Sequence, residues 1–468
     1  MKEKSVLKAT FWYLICDFIL RGMAFLTMPV FTRIMTVGQI GDFSILTSWI
    51  SLFSVTVTLN LTSTVIIAKF DVGDKYDQYI SSIAVLGGLA VMAVWVVVLP
   101  YSNVISQLLG MPQYAFQVMC IYLMFCQSSG ILLGKYRANI EYKKSVILSL
   151  GTTLITTAGS LLCTIFFDDA LKGRIYGFYI PSIIINAVVM AVIVSKGKSF
   201  KWEYCRYALS ISLPLVIHNL AGNIMHSSDR IMIGKICSSE DAGIYGVAYT
   251  CAMFANILRN SLNTAWNPWI FSKINEGKET DIKKVSFVYL FLFFILCAGI
   301  ILITPEILFV LGGEKYLEAK DVVPPVVTAY MFSMVYSLYG GIEQYYKKQK
   351  YFAVVATICA LANIGLNYLL LPVFGYIAAA YTTLISTGLE CFMHYLNVKR
   401  MGYHKIYSTG FNLGILGAML LFDMVSFILY RSDIVRWISI LLCICVIALI
   451  AVKRKNEVRN FVMILKRN

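Results

Sequence analysis

The chain has 468 residues, 59% of them hydrophobic and 14% charged, where an ordinary soluble domain carries roughly a quarter charged residues. That balance excludes a compact fold in water. A net charge of +15 would suggest nucleic acid in a soluble protein, but here the basic residues concentrate in short connections between apolar stretches, where they set topology.

Fourteen apolar stretches follow one another, at 10–34, 41–66, 79–101, 115–134, 145–167, 174–195, 206–228, 241–264, 285–310, 322–342, 351–371, 375–397, 408–430 and 434–452. Each approaches the roughly 20 residues that a helix needs to cross a hydrocarbon core of about 30 Å. The first opens on Lys2, Lys4 and Lys8 like a signal peptide, but it is too long for one and contains Asp17 and Arg21, so it reads as an uncleaved helix. With the N-terminus inside, 29 of the 40 Lys and Arg residues fall in inside loops and tails and nine in outside connections. That asymmetry places both termini in the cytoplasm and requires an even number of helices. The expected fold is therefore all-α and polytopic.

Residues 21–35 align without gaps on 218–232, and Gly41 with Phe43 matches Gly243 with Tyr245 after each segment. Residues 142–162 likewise resemble 348–370. The expected organisation is a six-helix bundle over 1–200, a second over 201–400, and two further helices with a basic tail over 401–468. Six helices per repeat bring both copies into the membrane from the same side, an arrangement found in transporters with a site between the halves.

Charges inside apolar helices are expensive and need a partner or water. In the first helix Asp17 and Arg21 lie one turn apart, either as a self-neutralising pair or with Arg21 facing a wet cavity. In the seventh, Asn219, Asn223, His226 and Arg230 form a polar stripe, and His218 aligns with Arg21. In the eighth, Asn256, Arg259, Asn260, Asn263 and Asn267 recur at helical spacing, and a polar stripe of this kind belongs on a cavity rather than on lipid. Arg259 can also snorkel to the cytoplasmic surface. Arg259 toward the cytoplasm, Arg21 near the middle and Arg33 toward the outside would make a ladder for an anionic group, since guanidinium pairs with phosphate in a bidentate manner. Glu390 and His394, one turn apart in the twelfth helix, are either an interhelical hydrogen-bonding pair or the carriers of a coupling ion. Scattered cysteines give no metal spacing. The chain has no Walker A, GxSxG or HExxH sequence, so neither an enzyme nor a metal or other cofactor is expected.

The stretches SDRIMIGKICSSEDAGIYGVAYTCAMF (228–254), NTAWNPWIFSKI (263–274) and PVFTRIMTVGQIGDFSI (29–45) resemble the polysaccharide transport proteins that include O-antigen and capsule flippases of the Wzx type. That family shares a superfamily with MATE drug exporters and lipid II flippases. The resemblance implies a flippase of the bacterial plasma membrane that carries an undecaprenyl-pyrophosphate-linked oligosaccharide to the outer leaflet by alternating access. It also implies a polysaccharide polymerase and chain-length regulator as partners, with the membrane potential or an H⁺ or Na⁺ gradient as the drive. On this reading Arg21, Arg259 and Arg33 hold the pyrophosphate, while Asn219, Asn256, Asn263, Tyr330 and Tyr336 meet sugars. A MATE-type cation exporter, a lipid II flippase and a non-transporting membrane scaffold are the alternatives. The basic intramembrane charge argues against the first and the costly polar stripes against the last.

Overall fold

The computed structural model describes residues 2–348 and 350–442, and the described residues are helices and turns throughout. In chain order the helices are α1 (Lys2–Ile34), α2 (Val37–Val57), α3 (Val65–Val72), α4 (Tyr76–Val98), α5 (Ser102–Leu108), α6 (Gln113–Phe125), α7 (Gln127–Ala138), α8 (Tyr142–Phe166) and α9 (Ala170–Gly197). They continue as α10 (Trp202–Ile236), α11 (Ser239–Asn275), α12 (Glu279–Leu302), α13 (Thr304–Gly312), α14 (Val323–Tyr345), α15 (Lys350–Phe374), α16 (Ile377–Arg400) and α17 (Thr409–Leu429).

Each expected stretch up to 408–430 coincides with one of these helices or with a run of two. The second runs from α2 into α3, the fourth through α6 and α7, and the ninth from α12 into α13. Most of the fourteenth, 434–452, lies outside the described residues. Among the described residues eight helical runs are long and apolar enough to cross a membrane, and ten are if each of two bent pairs counts as one span. Large apolar side chains point outward along them, with Phe166 80% and Val96 70% exposed. In water that surface would be a liability; against lipid it is the required face. The protein is a multi-pass membrane protein.

Packing divides the chain into one unit up to Gly243 and another from Ile244 onward. In the first unit, small residues let backbones approach closely. A Cβ on Gly177 would lie 2.2 Å from the Gly159 carbonyl oxygen, so α9 and α8 touch through glycine, as small-xxx-small faces do in membranes. The repeat-related glycines Gly41 and Gly243 also meet. A Cβ on Gly41 would lie 1.7 Å from the Ser239 carbonyl oxygen, and one on Gly243 would lie 2.2 Å from that of Val37. Beside them the Ser239 hydroxyl donates to Asp42 over 2.6 Å. A capping box in which Thr36 and Gln39 satisfy each other's backbone N–H starts α2 at this point.

In the second unit α14 is buried at nearly every position from Val323 to Glu343, and it packs against α12, α16 and α17. The rings of Trp266 and Tyr289 stack at 4.3 Å. The Asn412 amide donates to the Tyr339 hydroxyl over 2.9 Å, tying α17 to α14.

Candidate functional site

In the second unit the α11 stripe divides into two parts with different work. Arg259 is half-buried. Its Nε and Nη2 both donate to the Asn256 side-chain oxygen, at 3.2 and 2.9 Å, and Nη2 also donates to that of Asn260 at 3.1 Å. Residues three back and one ahead thus orient the guanidinium with neutral oxygens, which fix its direction without cancelling its charge. From α14 the Tyr336 hydroxyl stands beside Arg259, and Glu390 on α16 lies within electrostatic reach of both.

Asn263, expected beside these groups, is engaged elsewhere. Its side-chain oxygen accepts from Tyr289 at 2.8 Å and its amide donates to Ser337 at 3.1 Å. It stitches α11 to α12 and α14.

His394 meets a different acid from the one expected. Its Nδ1 lies 2.7 Å from Oε2 of Glu343 on α14, and the Asn397 amide donates to Oε1 of the same carboxylate at 2.7 Å. The histidine and glutamate side chains are 1% and 0% exposed. The imidazole stacks on the Tyr336 ring, with centroids 5.3 Å apart and planes 17° from parallel, and the Phe352 ring closes in at 4.8 Å. Sequence reasoning missed Glu343 because the tenth apolar stretch was ended at residue 342, which left the acid in a loop. α14 continues to Tyr345, and the helical spacing of Tyr336, Tyr339 and Glu343 was the available signal.

In the first unit the side chains of Asp17, Arg21 and His218 lie outside the described residues. Arg33 is exposed, and its guanidinium donates to the Pro29 carbonyl oxygen one turn back at 2.7 Å. Its repeat counterpart Arg230 does the same toward His226, at 3.3 Å, so the alignment of the two segments extends to the hydrogen bonding of their arginines. Asn219 is half-buried and His226 exposed, while Asn223 accepts from Ser51 of α2 at 3.4 Å. One further cation is buried. Arg174, near the start of α9, lies 3.9 Å from the ring centroids of both Phe31 and Phe43, a double cation–π contact that joins α9 to α1 and α2.

Residues 6–275 match the family model described as polysaccharide biosynthesis protein, and residues 214–369 match the MatE model. The chain is 18% identical over 377 residues to the probable low-salt glycan biosynthesis flippase Agl15 of Haloferax volcanii, covering 80% of this chain and 79% of that protein. It is 20% identical over 394 residues to the capsular polysaccharide biosynthesis protein CapF of Staphylococcus aureus, covering 81% and 95%. Among solved structures, the lipid II flippase MurJ in an inward closed conformation superposes with a TM-score of 0.73 at 17% identity, covering 95% of this chain and 99% of that one. At that identity the likeness establishes the fold, which is of the MurJ and MATE type.

Proposed function

The chain belongs to the polysaccharide biosynthesis protein family, and we propose that it is a flippase rather than an enzyme, carrying an undecaprenyl-pyrophosphate-linked oligosaccharide from the cytoplasmic to the outer leaflet of a bacterial plasma membrane by alternating access. The observation that carries this reading is the Arg259 guanidinium, held in an apolar helix by Asn256 and Asn260 with Tyr336 beside it. A fork fixed by neutral partners is ready for a phosphate, because its charge is retained and its rotamer entropy is already spent. A glycan cannot cross hydrocarbon unaided, since each hydroxyl stripped of water without a partner costs several kcal/mol. The isoprenoid tail can remain in lipid while the head group passes along polar side chains.

In the first unit Arg21 and Arg33 are the further groups proposed to bind the pyrophosphate. The polar groups proposed to serve the cargo are Asp17, His218, Asn219, Asn223 and His226 in the first unit and Asn256 and Asn260 in the second, where Asn263 acts only as a structural support through its hold on Tyr289 and Ser337. The lysine and arginine distribution favours cytoplasmic termini. The drive is the membrane potential, alone or with an H⁺ or Na⁺ gradient acting through Glu390 and His394. A polymerase and a chain-length regulator are the proposed partners downstream, since a flipped repeat unit must next be joined to others.

The test places purified protein in liposomes with a fluorescent polyprenyl-pyrophosphate oligosaccharide and follows access of the head group to an external quencher. Wild type is expected to speed equilibration, and Arg259→Gln and Arg21→Gln to lose the effect. Movement of organic cations in place of the lipid would overturn the reading. Lipid II serves as the comparison cargo: preference for it over glycan-linked lipid would transfer the function to peptidoglycan precursor.

A further inference from the structure

We propose that Glu343, His394 and Asn397 form a proton-binding site that fills together with the anionic head group, so that proton and lipid-linked pyrophosphate favour each other's binding. The inference rests on the anion-holding role given to Arg259 above, and it concerns residues that role does not include.

A carboxylate and an imidazole, both shut away from solvent and 2.7 Å apart, hold a net charge of minus one when the imidazole is neutral and zero when one more proton is present. With the carboxylate ionised, Nδ1–H must donate to Oε2, and the added proton goes to Nε2. In a dry interior a change of one charge is felt strongly by its neighbours. Imidazole is the side chain that ordinarily makes this change near neutral pH. The C-terminal ends of α14 and α16 bring exposed side chains close to the pair in sequence. Asn397 is half-buried, holds Oε1, and is followed within a turn by exposed Lys399 and Arg400, while Gln344 beside Glu343 is exposed.

The sign of the coupling follows from what faces the pair. On α14 the Tyr336 ring lies flat on the imidazole while its hydroxyl stands beside Arg259. On α16 Glu390 stands in the field of both His394 and Arg259, with Cys391 beside it. From α15 the Tyr351 ring meets His394 edge-on at 6.0 Å, and its hydroxyl is in the field of Glu343, Arg400 and Cys359. A proton on His394 adds positive charge beneath the same tyrosine that Arg259 touches, and it gives Glu390 a second cation to satisfy. Both effects leave the guanidinium freer to hold an anion. By reciprocity, a bound anion makes the pair hold its proton more tightly.

The experiment measures binding of the fluorescent polyprenyl-pyrophosphate oligosaccharide at pH 6 and pH 8, together with proton uptake in weakly buffered solution. It uses wild type, Glu343→Gln, and the double variant Glu343→Gln with His394→Gln. The double variant keeps a hydrogen-bonding amide pair across α14 and α16 without a titrating group, and the single variant serves if the double does not fold. A unit charge acting across one aromatic ring at an effective dielectric of about 20 is worth about tenfold. Wild type is expected to bind about tenfold more tightly at pH 6 and to take up a proton on binding, whereas the double variant binds equally at both pH values and takes up none, and Glu343→Gln, whose imidazole has lost its counter-charge, shows a smaller pH dependence and a smaller uptake. A wild-type affinity independent of pH, or a pH dependence unchanged in the variants, would overturn the proposal. If wild type does not bind this lipid at all, the flippase reading fails and the coupling fails with it. Proton uptake between pH 8 and pH 6 then decides the site separately: one more proton in wild type than in the double variant retains it, and equal uptake removes it.

Discussion

Arg259 is oriented by two amide oxygens, those of Asn256 and Asn260, and the geometry of those contacts decides what each substitution removes. Arg259→Lys keeps the charge but offers a point donor where a planar fork was fitted, so the bidentate bond to phosphate is lost while attraction remains. Charge-assisted bonds are worth about 1.5–3 kcal/mol, so Lys should slow flipping in the quencher assay by roughly ten- to a hundredfold, and Gln should abolish it. Asn263 predicts the opposite pattern. Asn263→Ala deprives Tyr289 and Ser337 of a partner, which costs about 1–2 kcal/mol of stability, and should lower the unfolding temperature in detergent while leaving affinity for the pyrophosphate lipid within about twofold. Both residues lay on one stripe in the sequence, and periodicity alone does not tell them apart. Spacing shows which side chains share a helix face, but the partner across that face belongs to another helix. For the same reason Glu343 escaped notice: a polar residue at a helix end looks like a loop residue until the neighbouring helix supplies His394 and Asn397.

At the scale of helices, the sequence located the apolar stretches well because the hydrocarbon core imposes their length, whereas breaks such as that between α2 and α3, where Leu59 and Asn60 adopt positive φ, have no such rule. The repeat was legible as paired Gly-plus-aromatic patterns. That Gly41 and Gly243 touch was not, because contact between distant segments leaves no trace in either one alone. Gly41→Val would place side-chain carbons on the Ser239 carbonyl. Relief requires α2 and the start of α11 to part, at a cost of about 1–3 kcal/mol, and circular dichroism on heating should show a lower midpoint with the helix content retained. The turn between α11 and α12 should tolerate change by contrast. There the Lys273 and Lys278 ammonium groups hold the Glu276 carboxyl down to about 2. A depressed carboxyl contributes above its ordinary range and loses that contribution only as pH falls toward about 2. This one is fully exposed and screened by salt, so Glu276→Gln should leave the unfolding midpoint unchanged between pH 5 and pH 8.

For the molecule as a whole, the proposed proton site and the proposed cargo together determine how much charge crosses the membrane per turnover. A pyrophosphate diester carries two negative charges, so export alone moves two charges outward, and a cell interior at negative potential favours this by about 4.6 kcal/mol per 100 mV. If His394 and Glu343 load a proton that travels with the lipid, one charge is cancelled and the drive is halved. The steady-state ratio of outer to inner lipid separates the cases, since a tenfold change needs about 59 mV for one charge and about 30 mV for two. In liposomes clamped at a series of potassium diffusion potentials, wild type should therefore show about 59 mV per decade, and the Glu343→Gln, His394→Gln double variant about 30 mV. An imposed pH difference gives the complementary reading. Each unit of acidity on the side of lipid entry should raise the wild-type ratio about tenfold at zero potential, and the double variant should not respond. A slope near 20 mV per decade would mean that a proton moves against the lipid rather than with it, which reverses the sign of coupling derived from Tyr336 and Arg259 and moves the proton site away from Glu343.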